Sequence, residues 1–324
     1  MEKYQSESLH DFACKLQSRI PLRLLRNQRQ LTTDELNEIK KSIEVNCLAN
    51  MDNTNLTQEM IEKNLNAHLY KRLEDDRKNI IPWLDNAKNL NEKHILEIGC
   101  GTGSSTVALA EQGARVTGID INKDILAVAK DRCRVYGLVV ELMVSNGVDI
   151  SDLFEAEAFD FIIFFACLEH MTIEERLTSL SKAWEMLPIG GLLVIVETPN
   201  RLWYCDNHTS WMPLFHWLPN ELAFYYSKFS SRNNFKEFYR EYDEVSKEQF
   251  LRRGRGASFH EFDIAIKPAK NLKVISSLSA YQRTQGKGQK PKIEQSFKTL
   301  LMNICPDIHE GFFDENLYLI IEKD

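Results

Sequence analysis

No two of the seven cysteines (Cys14, Cys47, Cys100, Cys133, Cys167, Cys205 and Cys305) are spaced CxxC. An odd, scattered set of this kind builds neither a disulfide framework nor a structural zinc site. The sequence also lacks any run near the roughly 18 apolar residues of a membrane span. Its opening stretch, MEKYQSESLHDF, has no apolar segment of the signal-peptide kind. An excess of basic charge is missing as well: 40 Lys and Arg stand against 47 Asp and Glu, a formal charge of -7. That balance does not favour a nucleic-acid backbone. No internal repeat is found. These absences leave a globular protein of a reducing compartment, expected in the cytoplasm and without a membrane or nucleic-acid partner. Its 324 residues, 43% of them hydrophobic, suffice for a full-sized core with additions.

What is present divides the chain at about residue 90. Residues 1–89 read as helices with polar connections. Leu9, Phe12, Ala13 and Leu16 fall at helical spacing, and Thr32 with Glu35 makes a capping box ahead of Leu36, Ile39 and Ile43. A third helix is expected from near Thr57 through Ile61, Leu65 and Leu69, with Ile80, Ile81 and Trp83 further on. These helices are expected either to cap an active site or simply to pack on the main domain.

Over residues 90–324 short apolar strands alternate with helix-like stretches: HILEIG, ARVTGID, VVELMV, FDFIIFFA and GLLVIVE, then NLKVISSL and NLYLIIE. Such alternation predicts an α/β domain, a mostly parallel sheet with helices on both faces. Residues 200–260 interrupt it. Eight aromatics fall within 203–226, including three of the five tryptophans. QRTQGKGQKPK (282–292) is expected to be a loop.

The stretch HILEIGCGTGSSTVALAEQGARVTGIDIN (94–122) carries the strongest signal. A strand ends at Glu97 and runs into Gly99, Gly101 and Gly103 before a helix. Glycines there let a ligand approach the backbone at a helix N-terminus. Asp120, at the end of the next strand, is placed to accept hydrogen bonds from ribose hydroxyls. A dinucleotide dehydrogenase would space its glycines GxGxxG. Here the spacing is ExGxGxG, which closely resembles motif I of the class I S-adenosylmethionine-dependent methyltransferases. Further on, Asn146-Gly147 stands where that family usually has an acidic residue beside the adenine. FDFIIFFACLEHM (159–171) resembles its fourth-strand motif, and LPIGGLLVIVETPNR (187–201) its turn and fifth strand. Within the class, LEIGCGTG, LEH and TPNR are similar to the branch of ubiquinone-type O-methyltransferases and bacterial small-molecule methyltransferases.

The resemblance implies a Rossmann-like sheet of seven strands, the last antiparallel, and S-adenosylmethionine as cofactor. It implies a cofactor site of Glu97, Gly99, Cys100, Gly101, Thr102, Gly103, Asp120, Ile121, Asn146, Gly147, Ala166 and His170. Glu97 suits a cationic methionyl ammonium and sulfonium. The expected reaction is transfer of a methyl group to a small-molecule acceptor, most readily at a hydroxyl or carboxyl oxygen.

The acceptor site is expected beyond the carboxyl ends of the strands. His170, His208 and His260 are the candidate bases. Asn200, Arg201, Trp203, Tyr204, His208, Trp211, His216 and His260 are the candidate acceptor contacts. Glu169, His170, Asp206, His208, His260 and Glu261 lack metal-motif spacing, and no metal site is expected. Ser258 and Glu261 read as a capping box. Between 252 and 298, 11 Lys and Arg stand against three Asp and Glu. This stretch is read either as a solvated face or as an attractor for an anionic acceptor. It is also the only support for an RNA methyltransferase. A non-catalytic regulatory subunit of this fold, the other alternative, would be expected to show an eroded glycine motif.

Overall fold

The computed structural model describes residues 28–48, 57–232, 235, 242–286 and 291–324. The helix expected around Leu9 to Leu16 lies outside them. The first described helix, α1 (Thr33–Ile43), starts at the expected capping box: the Thr32 hydroxyl accepts from the Glu35 N–H, and the Glu35 carboxylate accepts from the Thr32 N–H at 2.8 Å. The exchange satisfies donors that every helix start leaves orphaned. Thr32→Ala should cost about 1 kcal/mol, read as a lower midpoint of chemical unfolding at constant slope. An unchanged midpoint would show the cap to be idle.

A second helical segment, α2 (58–87), is capped by Thr57, whose hydroxyl accepts from the Met60 N–H. Two π turns, Ala67–Lys71 and Asp76–Ile80, interrupt its α-helical path. A π turn rotates the following residues around the helix and recurs at functional sites. Leu69, Leu73, Ile80, Ile81, Trp83 and Leu84 nevertheless stay buried. Arg77 ties α2 to the next helix, α3 (Ser104–Ala110), and the turn after it: Nε and Nη2 donate to both oxygens of the buried Glu111 carboxylate, at 3.0 and 2.5 Å.

Strands β1 (His94–Ile98), β2 (Arg115–Asp120), β3 (Glu141–Val144), β4 (Phe161–Phe165), β5 (Leu192–Pro199), β6 (Lys273–Ser277) and β7 (Asn316–Glu322) form one sheet in the order β3-β2-β1-β4-β5-β7-β6. β1 to β5 are parallel, and β7 is antiparallel to both its neighbours. Strand side chains alternate between two cores, as a period of two demands. Ile95, Phe161, Ile163 and Val194 pack on one face with Ile39, Leu73 and Trp83 from α1 and α2. Leu96, Ile162, Phe164 and Leu193 pack on the other with Leu180 of α5 (Ile173–Met186) and with Phe262 and Phe312. The N-terminal helices therefore share the sheet's own core. α4 (Lys123–Tyr136) lies between β2 and β3.

The 200–260 insertion builds a core of its own. Met212, Phe215 and Phe235 pack with Ala223 and Phe224 of α6 (Asn220–Ser227) and Phe250 of α7 (Glu244–Arg252). α8 (Phe259–Ala265) opens on the expected Ser258–Glu261 box. Of the stretch expected to be a loop over 282–292, residues 282–284 belong to α9 (Leu278–Thr284) and Lys292 opens α10 (Lys292–Ile304). Ser277 caps the first of these by accepting from the Ala280 N–H. Among the described residues no helix is long and apolar enough to cross a membrane.

Candidate active site

β1 ends in a turn whose glycines are needed for different reasons. Gly99 sits at φ 81, and a Cβ there would lie 2.5 Å from Cys167 Cβ, beyond β4. Gly101, at φ 52, has only Gly99 O near it, at 4.0 Å, so its open side faces a cavity. The Gly101 N–H donates to Asp120 Oδ2 at 3.0 Å and the Asn122 N–H to Oδ1 at 2.8 Å. Burial pushes the Asp120 carboxyl up, and these two donors pull the other way. Asn146 Oδ1 accepts from the Val148 N–H, and its Nδ2 donates to Glu175 Oε1 at 3.2 Å. Burial opposes ionisation of Glu175, but the paired Arg252 guanidinium, at 3.0 and 3.1 Å, leads the contacts that hold it down at about 2.

The cavity, about 780 Å³, lies over the gap between β1 and β4, where the strand order reverses. Of the residues expected at the cofactor, Gly99, Cys100, Gly101, Thr102, Asp120, Ile121, Asn146, Gly147, Ala166 and His170 line it. Two do not. Gly103 packs on Ala129 of α4. Glu97 is wholly buried and accepts from the hydroxyls of Ser105 and Thr106 on α3, the latter at 2.6 Å. Burial pushes it up to about 7, against those hydroxyls. Its place is under the helix start, away from the ligand space. α2 contributes Lys71, Arg72, Asp75 and Asp76, none of them anticipated.

Glu169, His170, Glu197 and His208 line the cavity as well. Glu169 has no exposed surface, and neither of its carboxyl oxygens has a hydrogen-bond partner among the described residues. Its Oε1 lies 3.8 Å from His170 Nε2 and 3.9 Å from His208 Nε2. Burial pushes its carboxyl up to about 8. His170 Nδ1 lies 2.8 Å from the Arg252 carbonyl, which only accepts, so Nδ1 carries a proton and the neutral ring turns a lone pair on Nε2 toward Glu169. Burial, then the neighbouring His170, pushes His208 down to about 4. Glu197 occupies φ 61 where β5 and β7 slip register between Ile195 and Thr198. That irregularity turns its side chain out of the strand and toward the cavity.

The other expected acceptor contacts scatter. Asn200 and His216 line a smaller chamber beside the cavity. Trp203 is buried against Tyr204 and the Phe297 ring, which is 5.3 Å away. Trp211 is exposed under the Arg232 guanidinium. Arg201 joins the Ala257 carbonyl through its backbone, and His260 stacks on Phe259 at 4.2 Å. None of these five lines the cavity or the chamber: Trp203, Tyr204 and His260 stack on neighbouring rings, and Trp211 is exposed. Among the described residues no group of three or more His, Cys, Asp or Glu is arranged to hold a metal ion. Much of the basic stretch is engaged too. Lys273 pairs with Glu322, Lys298 with Asp314, and Arg255 donates to the carbonyls of Phe215 and Leu218.

Residues 95–191 match the protein family described as a methyltransferase domain. Residues 95–191 therefore carry a methyltransferase domain. The domain resembles a ubiquinone biosynthesis O-methyltransferase of Histophilus somni, 29% identical over 40% of this chain and 64% of that one. It resembles another so described in Pseudomonas syringae, 35% identical over 41% and 55%. A demethylmenaquinone methyltransferase of Tropheryma whipplei is 32% identical over 32% and 41%. The chain thus spans between two fifths and two thirds of these relatives. A solved magnesium protoporphyrin IX methyltransferase from Synechocystis, with bound S-adenosylmethionine, matches at 18% identity and TM-score 0.37 over 53% of this chain and 80% of that one.

Proposed function

We propose that the protein transfers a methyl group from S-adenosylmethionine to an oxygen of a small-molecule acceptor. One observation carries the reading: a single cavity runs from an open glycine turn to a buried carboxyl flanked by two imidazoles. The residues present fit the cofactor. A Cβ at Gly101 would stand in open cavity, so the main chain is bare where a ligand passes. Asp120 and Asn146 stand at the tips of β2 and β3, suited to the ribose and the base. Lys71 and Arg72 suit the methionyl carboxylate, while Asp75 and Asp76 suit its ammonium. S-adenosylmethionine, when bound, supplies a methyl carbon made electrophilic by its sulfonium.

The chain's own residues then have to orient the acceptor and receive its proton. His208 Nε2 is the proposed base for the acceptor hydroxyl, since the ring is held neutral and opens onto the cavity. Glu169 and His170 are positioning groups beside it. A cytoplasmic location goes with this reading, since the described cysteines are all free thiols.

The test is calorimetry with S-adenosylhomocysteine. Asp120→Ala should weaken binding on the order of tenfold or more, from lost hydrogen bonds to a charged group. An unchanged dissociation constant would move the ribose elsewhere, and no binding by the native protein would remove the cofactor altogether.

A further inference from the structure

A side-chain amide offers an acceptor at one end and a donor at the other, and it can turn over to exchange them. Asn146, just beyond β3 and lining the cavity, lacks that freedom. Its Nδ2 donates to Glu175 Oε1 at 3.2 Å, and a carboxylate only accepts. Its Oδ1 accepts from the Val148 N–H, which only donates, although at 3.3 Å that bond is long. Both partners demand the same orientation, and the charged one is the stronger of the two. After Val148, Oδ1 keeps a second lone pair.

Glu175 is itself held from two sides. The Thr172 N–H donates to Oε2 at 2.9 Å, within the capping box that opens α5. Arg252, the last residue of α7, reaches both carboxylate oxygens through Nη1 and Nη2, at 3.0 and 3.1 Å. Its Nε donates to Glu248 one turn back, so each of its three nitrogens serves a carboxylate. Its carbonyl lies 2.8 Å from His170 Nδ1, which pins its backbone at the cavity too. Burial opposes ionisation of Glu175, and the Arg252 pairing leads the contacts that overcome it. A protonated carboxyl would offer Asn146 a donor, and the amide could then turn.

Resting on the S-adenosylmethionine reading, we infer that Glu175 and Arg252 are positioning residues for recognition of the base. They hold Asn146 with Oδ1 ready to accept from an exocyclic amino group, so the pocket selects adenine over hypoxanthine. Hypoxanthine carries a carbonyl oxygen where adenine carries that amino group, and two acceptors would then face each other. The orientation is imposed by α5 and α7, not by the strand tip that bears Asn146.

The full-length protein would be titrated by calorimetry with S-adenosylhomocysteine and with S-inosylhomocysteine, its hypoxanthine counterpart. No binding of either would overturn the cofactor reading and the inference with it. The native protein should bind the first on the order of tenfold or more tighter. Glu175→Ala should weaken S-adenosylhomocysteine on the order of tenfold and leave S-inosylhomocysteine unchanged, bringing the ratio toward one. Thr172→Ala removes the hydroxyl half of the same capping box and spares the contact to Asn146. It should lower the thermal midpoint and keep the native ratio. Arg252→Ala leaves the capping box whole and should move the ratio in the direction of Glu175→Ala. The double variant should lose no more than Glu175→Ala alone, since both residues act through Asn146. Equal native affinity for the two nucleosides, or a native ratio in either alanine variant, would overturn the inference. So would a lost ratio in Thr172→Ala or a further loss in the double variant.

Discussion

Glu169→Gln should stabilise the protein by several kcal/mol at pH 9 and by only about 1 kcal/mol at pH 5. Burial holds the native carboxyl at about 8, whereas an unfolded chain returns it to about 4.3. Between those values the folded protein binds a proton that the unfolded protein does not, so native stability falls as pH rises. The slope is about 1.4 kcal/mol per pH unit while the difference lasts, and it levels off above pH 8. A carboxamide does not titrate. Its advantage over the native residue should therefore grow from about pH 4.5 and reach its full size near pH 8. Glu97, pushed up to about 7 beneath α3, gives the native protein a slope of the same sign. Only the difference between the two proteins isolates Glu169. Chemical unfolding at pH 5, 7 and 9 makes the comparison, and parallel profiles would show that Glu169 is not held neutral by its surroundings.

His208→Ala should lower the rate of methyl transfer on the order of a hundredfold, with the dissociation constant for S-adenosylhomocysteine intact. The two effects separate because His208, like Glu197, lines both the cavity and the smaller chamber, while the glycine turn, Asp120 and Asn146 line the cavity alone. Its depressed pKa, about 4, adds a second signature. The ring stays unprotonated through the range where an ordinary histidine, near 6.5, takes its proton. The acid limb of the native pH–rate profile should therefore fall below pH 5. A variant with near-native rates, or a limb close to 6.5, would remove His208 as the base.

The sheet was legible because its signal is local. Seven short apolar strands, each bounded by turn residues, state their own positions, and ExGxGxG followed by Asp120 marks which strand tips meet a ligand. Glu97 shows the limit of such reading. Its place in the motif is right, yet the hydroxyls of Ser105 and Thr106, eight and nine residues on, take the carboxylate that pattern alone assigns to the cofactor. The sequence left open whether the N-terminal helices cap the site, and it did not name the α2 residues that line the cavity. Arg72, Asp75 and Asp76 follow the π turn Ala67–Lys71, and a helical wheel drawn at 3.6 residues per turn misplaces the residues beyond it. The aromatic insertion failed for another reason. Phe215, Phe224 and Phe250 had a core of their own to fill, and composition does not distinguish a ligand wall from such a core. Glu197 did leave a trace, a lone charge inside the apolar run VIVETP.

The packing of α1 and α2 also fixes where the chain tolerates being cut. Ile95, Phe161 and Val194 lie in the same cluster as Leu73 and Trp83, so a fragment starting at residue 90 would uncover the part of that face that α3 and α4 do not reach. The segment that bears the family's signature, residues 95–191, therefore shares its core with helices that precede it. Evolution, or an engineer, could exchange the acceptor-side insertion far more readily than the helices that precede the first strand.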